Sequence, residues 1–199
     1  MIRNDFCFPV LVTVNEKTVS VPQNATHALE GTGWSKWDWM PGNLSEIAKK
    51  KVIYPLKGKE KVDVGPGGGV HVGSDEFGYD FSTPEGTEVY PMLGGVVIRV
   101  IGHYELAHQD LTRKKDVNTI EILHLDGTVA RYSHLKKDSI RVKHCDVVGA
   151  EQVIGLSGNT GYSTGPHLHV DVFKATSGNT YQTIPLEFSK REPATSVSF

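Results

Sequence analysis

Apolar and polar residues alternate over short runs along most of the chain, a pattern typical of half-buried β-strands. Four of these runs are rich in β-branched residues and lie at 96–101, 118–124, 129–135 and 167–173. Turn sequences such as Asp126-Gly127 separate the runs. The pattern therefore predicts a mainly β fold of antiparallel strands, a sandwich or half-barrel, with a polar surface loop at 102–116.

The first fifty residues differ from the rest and predict a small accessory region. Apolar runs at 10–14 and 18–21 predict a β-hairpin. Asn43 and Glu46 form a capping-box pattern, so a short helix is expected to run to about Lys50. We therefore divide the chain into an accessory region, a main domain and a tail, at 1–50, 51–189 and 190–199.

Composition narrows the classes of function. The chain has 199 residues, 22% of them charged, and a net charge of −2. Nucleic-acid binding needs a concentrated basic surface, and the nearest candidate, Arg113-Lys114-Lys115, is interpreted as a solvated loop. No apolar run reaches the length of a membrane helix. Two cysteines, Cys7 and Cys145, exclude a Cys-x-x-Cys site and leave a single bridge open.

The most informative stretch is 157–172, where a glycine-rich loop leads into a strand. In that strand His167, His169 and Asp171 alternate with aliphatic residues. Side chains on a strand alternate between its two faces, so both histidines are predicted on one face and the aliphatic residues in the core. Two imidazoles in this position suit a metal ligand and a neighbouring acid–base group.

Two other segments carry candidate chemistry. Tyr132 and His134 are two residues apart in a predicted strand, so they are expected to share a face. Asp80 lies among apolar and turn residues. Burying a carboxylate without a partner is costly, so Asp80 is expected to have one.

These segments resemble the M23 zinc endopeptidases, the lysostaphin-like or LytM-like group. The resemblance covers roughly 51–189, with its motifs in the right order and at sensible spacings. They are Tyr79-Asp80-Phe81, Gly94-Gly95-Val96-Val97, Asp126-Gly127-Thr128, Tyr132-Ser133-His134-Leu135, Ser157-Gly158-Asn159-Thr160-Gly161, Gly165-Pro166-His167-Leu168-His169 and Thr183-Ile184-Pro185. The resemblance implies a LytM-like β domain (the duplicated hybrid motif) that cuts peptide bonds in bacterial cell-wall peptidoglycan.

The resemblance also implies roles for individual residues. Asp80 and His169 are expected to bind one zinc ion per chain, while His134 and His167 act on the reaction. One of these two histidines would take the proton of the attacking water and the other would stabilise the oxyanion. The sequence leaves open which histidine has which role. Asp171 is expected either to orient His169 or to be partly solvated.

The first zinc ligand departs from the commonest family pattern. Many members have a histidine four residues before the aspartate, where this chain has Glu76. Another branch has it nine residues before, and His71 fits that spacing. We therefore expect His71 to be the third ligand, with Glu76 or Asp75 as alternatives. The other histidines are expected to be solvated (His27, His103, His108 and His144) or without a ligand partner (His124).

The implied partner is a peptidoglycan peptide, bound by a monomer without a transmembrane segment. Two alternatives remain: a catalytically inactive relative that binds peptidoglycan or regulates another hydrolase, and a different metallohydrolase using the same site. The peptide bond could lie in a glycine bridge or in a stem peptide and its direct cross-link. The expected location is periplasmic or secreted. Because 6–14 is interpreted as a strand, a leader would already be absent from this chain.

Overall fold

The computed structural model describes residues 49–59, 61–175 and 180–191, together with the backbone of four short strands nearer the N-terminus. The described strands, numbered β1 to β17 in chain order, are Ile2–Arg3, Val10–Val14, Lys17–Val21, Thr26–His27, Lys50–Ile53, Tyr79–Ser82, Glu88–Val89, Gly95–Ile101, Ala107–His108, Thr119–Leu123, Val129–Ser133, Val147–Val148, Gly155–Leu156, Gly161–Tyr162, His167–Ala175, Tyr181–Thr183 and Leu186–Ser189. The helical elements in the same residues are two 3₁₀ turns, Gly73–Asp75 and Leu111–Arg113.

A seven-stranded sheet forms the centre of the domain. Its order is β12-β8-β10-β11-β15-β16, and β6 pairs with the first half of β15. Every neighbouring pair in this sheet is antiparallel. The prediction of a mainly β, antiparallel fold is therefore confirmed. The four central runs of the sequence correspond to β8, β10, β11 and β15.

One face of this sheet packs into the hydrophobic core. Leu168, Val170 and Val172 alternate along β15 and are completely buried. They join fully buried side chains from the other strands, including Phe81, Val97, Ile120, Ile122, Ala130 and Tyr132. Because successive side chains of a strand point to opposite faces, the residues between these aliphatic positions all lie on the other face.

The opposite face carries mostly polar side chains, with Ile101 as an apolar exception, in two rows across the strands. Register pairing places the first row in the order Ile101, Thr119, Ser133, His169 and Asp80. The second row runs Arg99, Glu121, Arg131 and Asp171, with charges that alternate in sign. Opposite charges directly across neighbouring strands stabilise the pairing. Residues far apart in sequence therefore meet on one polar surface.

The prediction that Tyr132 and His134 share a face is wrong. Tyr132 lies in the core, where its hydroxyl accepts a hydrogen bond from the Met92 amide at 2.7 Å. β11 ends at Ser133, and His134 has a left-handed φ of 62°. That turn of the backbone interrupts the alternation and directs the His134 side chain to the polar face.

Several other predictions are confirmed, corrected or left open. β2 and β3 pair antiparallel, as the hairpin prediction required. The predicted helix was expected to reach Lys50, but Lys50 begins strand β5, which pairs with β17, so the prediction is wrong at this residue. The rest of the predicted helix, at 43–48, lies outside the described residues. The loop at 102–116 contains a strand, β9, which pairs with β14. No helix in the described part of the chain is long and apolar enough to cross a membrane.

Candidate metal centre

Three potential metal ligands meet at the end of the polar face: His71, Asp80 and His169. One nitrogen or oxygen atom from each lies within 4.8 Å of those from the other two. Asp80 Oδ1 is 3.3 Å from His71 Nε2 and 2.8 Å from His169 Nδ1. The structure therefore brings together the three residues that the family resemblance proposed as ligands.

Sheet register positions two of the three residues. Asp80 on β6 lies directly opposite His169 on β15. His71 comes from the preceding loop, where Gly73 adopts a left-handed φ of 63°. Gly78 lets this loop approach closely, because a Cβ atom there would lie 2.8 Å from atoms of both the His71 and His169 rings. Any larger side chain at 78 would displace one imidazole or both.

Hydrogen bonds fix the orientation of the two ligand imidazoles. His71 Nδ1 lies 3.2 Å from the Gly65 carbonyl oxygen, which can only accept, so Nδ1 carries the proton. This leaves the lone pair on Nε2, the atom nearest Asp80. His169 Nε2 lies 3.2 Å from Asp171 Oδ2 and its Nδ1 lies 2.8 Å from Asp80 Oδ1, so in the metal-free site both nitrogens donate to carboxylates. Loss of the Nδ1 proton would leave a lone pair that points to the same place as that of His71.

His134 and His167 lie next to this cluster, with ring centroids 4.4 Å apart. His134 Nδ1 donates to the Thr160 carbonyl at 2.6 Å, and His167 Nδ1 donates to the Gly165 carbonyl at 2.8 Å. Their Nε2 atoms are thereby left as proton acceptors. The His167 Nε2 atom is 3.9 Å from Asp80 Oδ1, which places it beside the three ligands.

The protonation of the cluster is shifted in opposite directions at different residues. Burial, together with the charges of His167 and His169, lowers the pKa of His134 to about 3. Burial alone would lower the pKa of His169, but Asp171 and Asp80 raise it to about 9. Burial opposes ionisation of Asp80, yet its contacts with His169 and His71 hold its pKa well below the usual value. His134 is thus neutral at neutral pH, while the atoms around Asp80 attract a cation.

A half-buried arginine, Arg131, connects the residue that contacts His169 to the loop that carries His71. Asp171 is 1% exposed, and its Oδ2 accepts hydrogen bonds from Arg131 at 2.9 and 3.0 Å as well as the contact with His169. The same guanidinium reaches Asp75 Oδ1 at 3.5 Å, in the 3₁₀ turn that follows His71. Tyr181 donates to this Asp75 oxygen at 2.5 Å. Of the two roles considered for Asp171, the structure supports orientation of His169.

The alternative ligands Asp75 and Glu76 are not part of the cluster. Asp75 contacts Arg131, Lys114 and Tyr181, and Glu76 is exposed.

The prediction that His108 is solvated is wrong, because both of its ring nitrogens are buried without a hydrogen-bond partner in the described residues. His124 is also buried, and its Nδ1 contacts the Gly94 carbonyl at 3.0 Å.

A pocket of about 490 Å³ extends from the cluster over the polar face of the sheet. It is lined by His71, His134 and His169 and by charged residues of both walls. Among them are Lys114 and Lys115, which the sequence suggested were only a solvated loop. Arg131, Glu121 and Tyr181 also line it, and the sequence pattern did not single out any of the three.

These features define an antiparallel β domain that presents two histidines and an aspartate at one end of a pocket. The chain matches the model of peptidase family M23 over residues 74–182, more than half of its length. The chain therefore belongs to peptidase family M23. This confirms the resemblance and, with it, the LytM-like type of the fold.

The similarity to individual relatives covers part of this chain and part of each relative. The chain is 41% identical over 95 residues to the peptidoglycan DD-endopeptidase ShyA of Vibrio cholerae, covering 48% of this chain and 19% of that protein. It is 32% identical over 128 residues to lysostaphin of Staphylococcus simulans, covering 64% of this chain and 23% of that protein. The solved catalytic domain of S. simulans lysostaphin is 31% identical, with 62% of this chain and 87% of that domain covered and a TM-score of 0.46. The chain spans 19% to 30% of the length of the curated relatives described for it.

The residues present fit a zinc ion. Zinc binds imidazole nitrogen and carboxylate oxygen, and a catalytic zinc has three protein ligands and one open position. Ligand atoms that are about 2.0–2.1 Å from a tetrahedral zinc lie about 3.3 Å from one another. His71 Nε2 and Asp80 Oδ1 already have this separation, 3.3 Å.

Gly78→Ala should weaken zinc binding at least about tenfold, because the new methyl group would displace ligand imidazoles. Competition with a chromophoric chelator measures the affinity. Gly149→Ala is the matched control, since a Cβ atom there meets nothing within 4 Å and its φ is not left-handed. Equal zinc affinities for the two variants, both folded by circular dichroism, would show that Gly78 does not define the ligand geometry.

Proposed function

We propose that this domain is a zinc-dependent endopeptidase that hydrolyses peptide bonds in bacterial cell-wall peptidoglycan. The observation that carries the proposal is the orientation of four imidazoles beside one another at the end of the pocket. His71 and His169 direct a nitrogen to the Asp80 carboxylate, and His134 and His167 keep Nε2 as a proton acceptor. The relatives add support, because ShyA is a peptidoglycan DD-endopeptidase and the ALE-1 protein of Staphylococcus capitis is a glycyl-glycine endopeptidase.

His71, Asp80 and His169 would hold the zinc. When bound, zinc acts as a Lewis acid on a carbonyl oxygen and lowers the pKa of water to about 7. Arg131 and Asp171 keep His169 in the tautomer that this requires, and the Gly65 carbonyl does the same for His71. The ligand atoms therefore need no reorientation before they bind the ion.

His134 would accept the proton of the attacking water at Nε2. Its Nδ1 proton is committed to the Thr160 carbonyl, and its pKa of about 3 keeps the ring neutral at the pH of the reaction. We assign the oxyanion contact to His167, whose Nε2 lies 3.9 Å from Asp80 Oδ1, beside the three ligands.

The location follows from the substrate. Peptidoglycan lies outside the cytoplasmic membrane, so the proposal places the domain in the periplasm or the extracellular space. The same substrate makes a cross-linked peptide the expected partner of the pocket.

Metal removal tests the proposal directly. Purified peptidoglycan should release soluble peptides when incubated with the zinc-loaded protein, because the bound ion activates water for hydrolysis. Chelation should abolish the release, and added zinc should restore it. New amino termini measured in the soluble fraction report the cleavage. Binding to peptidoglycan with no release in any metal state would instead identify a non-catalytic binding protein.

Substitutions should separate ligands from catalytic residues. His134→Ala and His167→Ala should retain zinc and lose about 10²–10⁴-fold in kcat, since each acts on proton transfer or on developing charge. Asp80→Ala and His169→Ala should lose the metal. Zinc content is measured by atomic emission, with His144→Ala as the control because that ring is exposed and outside the pocket. Loss of zinc from His134→Ala to the same extent as from Asp80→Ala would contradict the assignment.

A further inference from the structure

The pocket beside the metal centre has an unequal set of charges. Its lining includes four basic side chains, Arg99, Lys114, Lys115 and Arg131. The acidic side chains on the same lining are Asp75, Glu121 and Asp171. The distribution of contacts among these groups decides which of them remain available to a ligand.

Most of the charges in the pocket are already paired. Arg131 binds Asp171 at 2.9 Å, and Lys114 binds Asp75 at 3.1 Å. Arg99 lies 3.7 Å from Glu121, a loose contact for an ion pair. Lys115 has no carboxylate partner in the described part of the chain. The two lining residues whose positive charge is least compensated are therefore Lys115 and Arg99.

Exposure separates Arg131 from the other three basic side chains, of which Lys114 is 51% exposed but paired with Asp75. Arg131 has 21% of its side chain exposed and is held from beneath by Asp171. The Arg99 side chain is 55% exposed, and Lys115 is exposed in the loop at 102–116. Burial raises the pKa of Glu121 despite the nearby charges of Arg131 and Arg99. Arg99 and Lys115 are thus free to meet a charged group that enters the pocket.

We propose that Lys115 and Arg99 bind a free carboxylate of the substrate peptide, at some distance from the bond that is cut. This deepens the proposed function and rests on it. Arg99 is three strands away from Asp171 in the second row, or about 14 Å at the usual strand spacing. An extended peptide covers that distance in about four residues. A stem peptide carries free carboxylates, whereas a glycine bridge carries none, so the pocket selects stem peptides.

Two forms of one substrate test the proposal. The first is a cross-linked stem-peptide dimer isolated from directly cross-linked peptidoglycan; the second is the same dimer after its free carboxyl groups are converted to carboxamides. The zinc-loaded protein should cleave the acid form with a kcat/KM about fivefold or more above that of the amide form, mainly through KM. Lys115→Met and Arg99→Met should lose this preference by raising KM for the acid form alone.

Lys143→Met is the matched control, since it removes one exposed positive charge outside the pocket and should keep the preference. Equal cleavage of the two forms by the unmodified protein overturns the inference and leaves the proposed function in place. The same holds if the preference survives in both pocket variants. If the unmodified protein holds zinc and cleaves neither form nor intact peptidoglycan, the proposed function fails, and the inference fails with it.

Discussion

The structure of the site depends on the direction of imidazole lone pairs. Backbone carbonyls hold the Nδ1 protons of His71, His134 and His167, while Asp171 takes that role for His169 through Nε2. Each ring therefore directs its other nitrogen to the neighbourhood of Asp80. If one of these acceptors were lost, the ring could adopt the other tautomer and present a proton where the site needs an electron pair.

The sheet supplies this arrangement through register. Asp80 and His169 face each other across one strand pair, and Arg131 and Asp171 face each other across the next. The half-buried Arg131 then connects the buried Asp171 to Asp75 on the loop that carries His71. Breaking a buried ion pair by removing one partner leaves an uncompensated charge and costs about 3–5 kcal/mol. The ion pairs of Arg131 with Asp171 and Asp75 therefore help to hold His169 and the loop of His71 in place.

Sequence patterns predicted the parts of the site that depend on local geometry or on the family motif. Alternation along 167–172 correctly placed His167 and His169 on one face, and the motif spacing proposed His71 and Asp80. Alternation failed at His134, because a left-handed residue after the strand cannot be inferred from periodicity. Arg131 was missed because its partners lie 40 and 56 residues away and only register brings them together.

The most direct test of this account is a crystal structure of the domain with zinc bound, its metal sites located by anomalous scattering. The account predicts a zinc about 2.0–2.1 Å from His71 Nε2, His169 Nδ1 and one oxygen of Asp80. Glu76 should remain outside the coordination sphere, with Asp171 still in contact with His169 Nε2. A Glu76 oxygen at bonding distance, with His71 directed into solvent, would contradict the account.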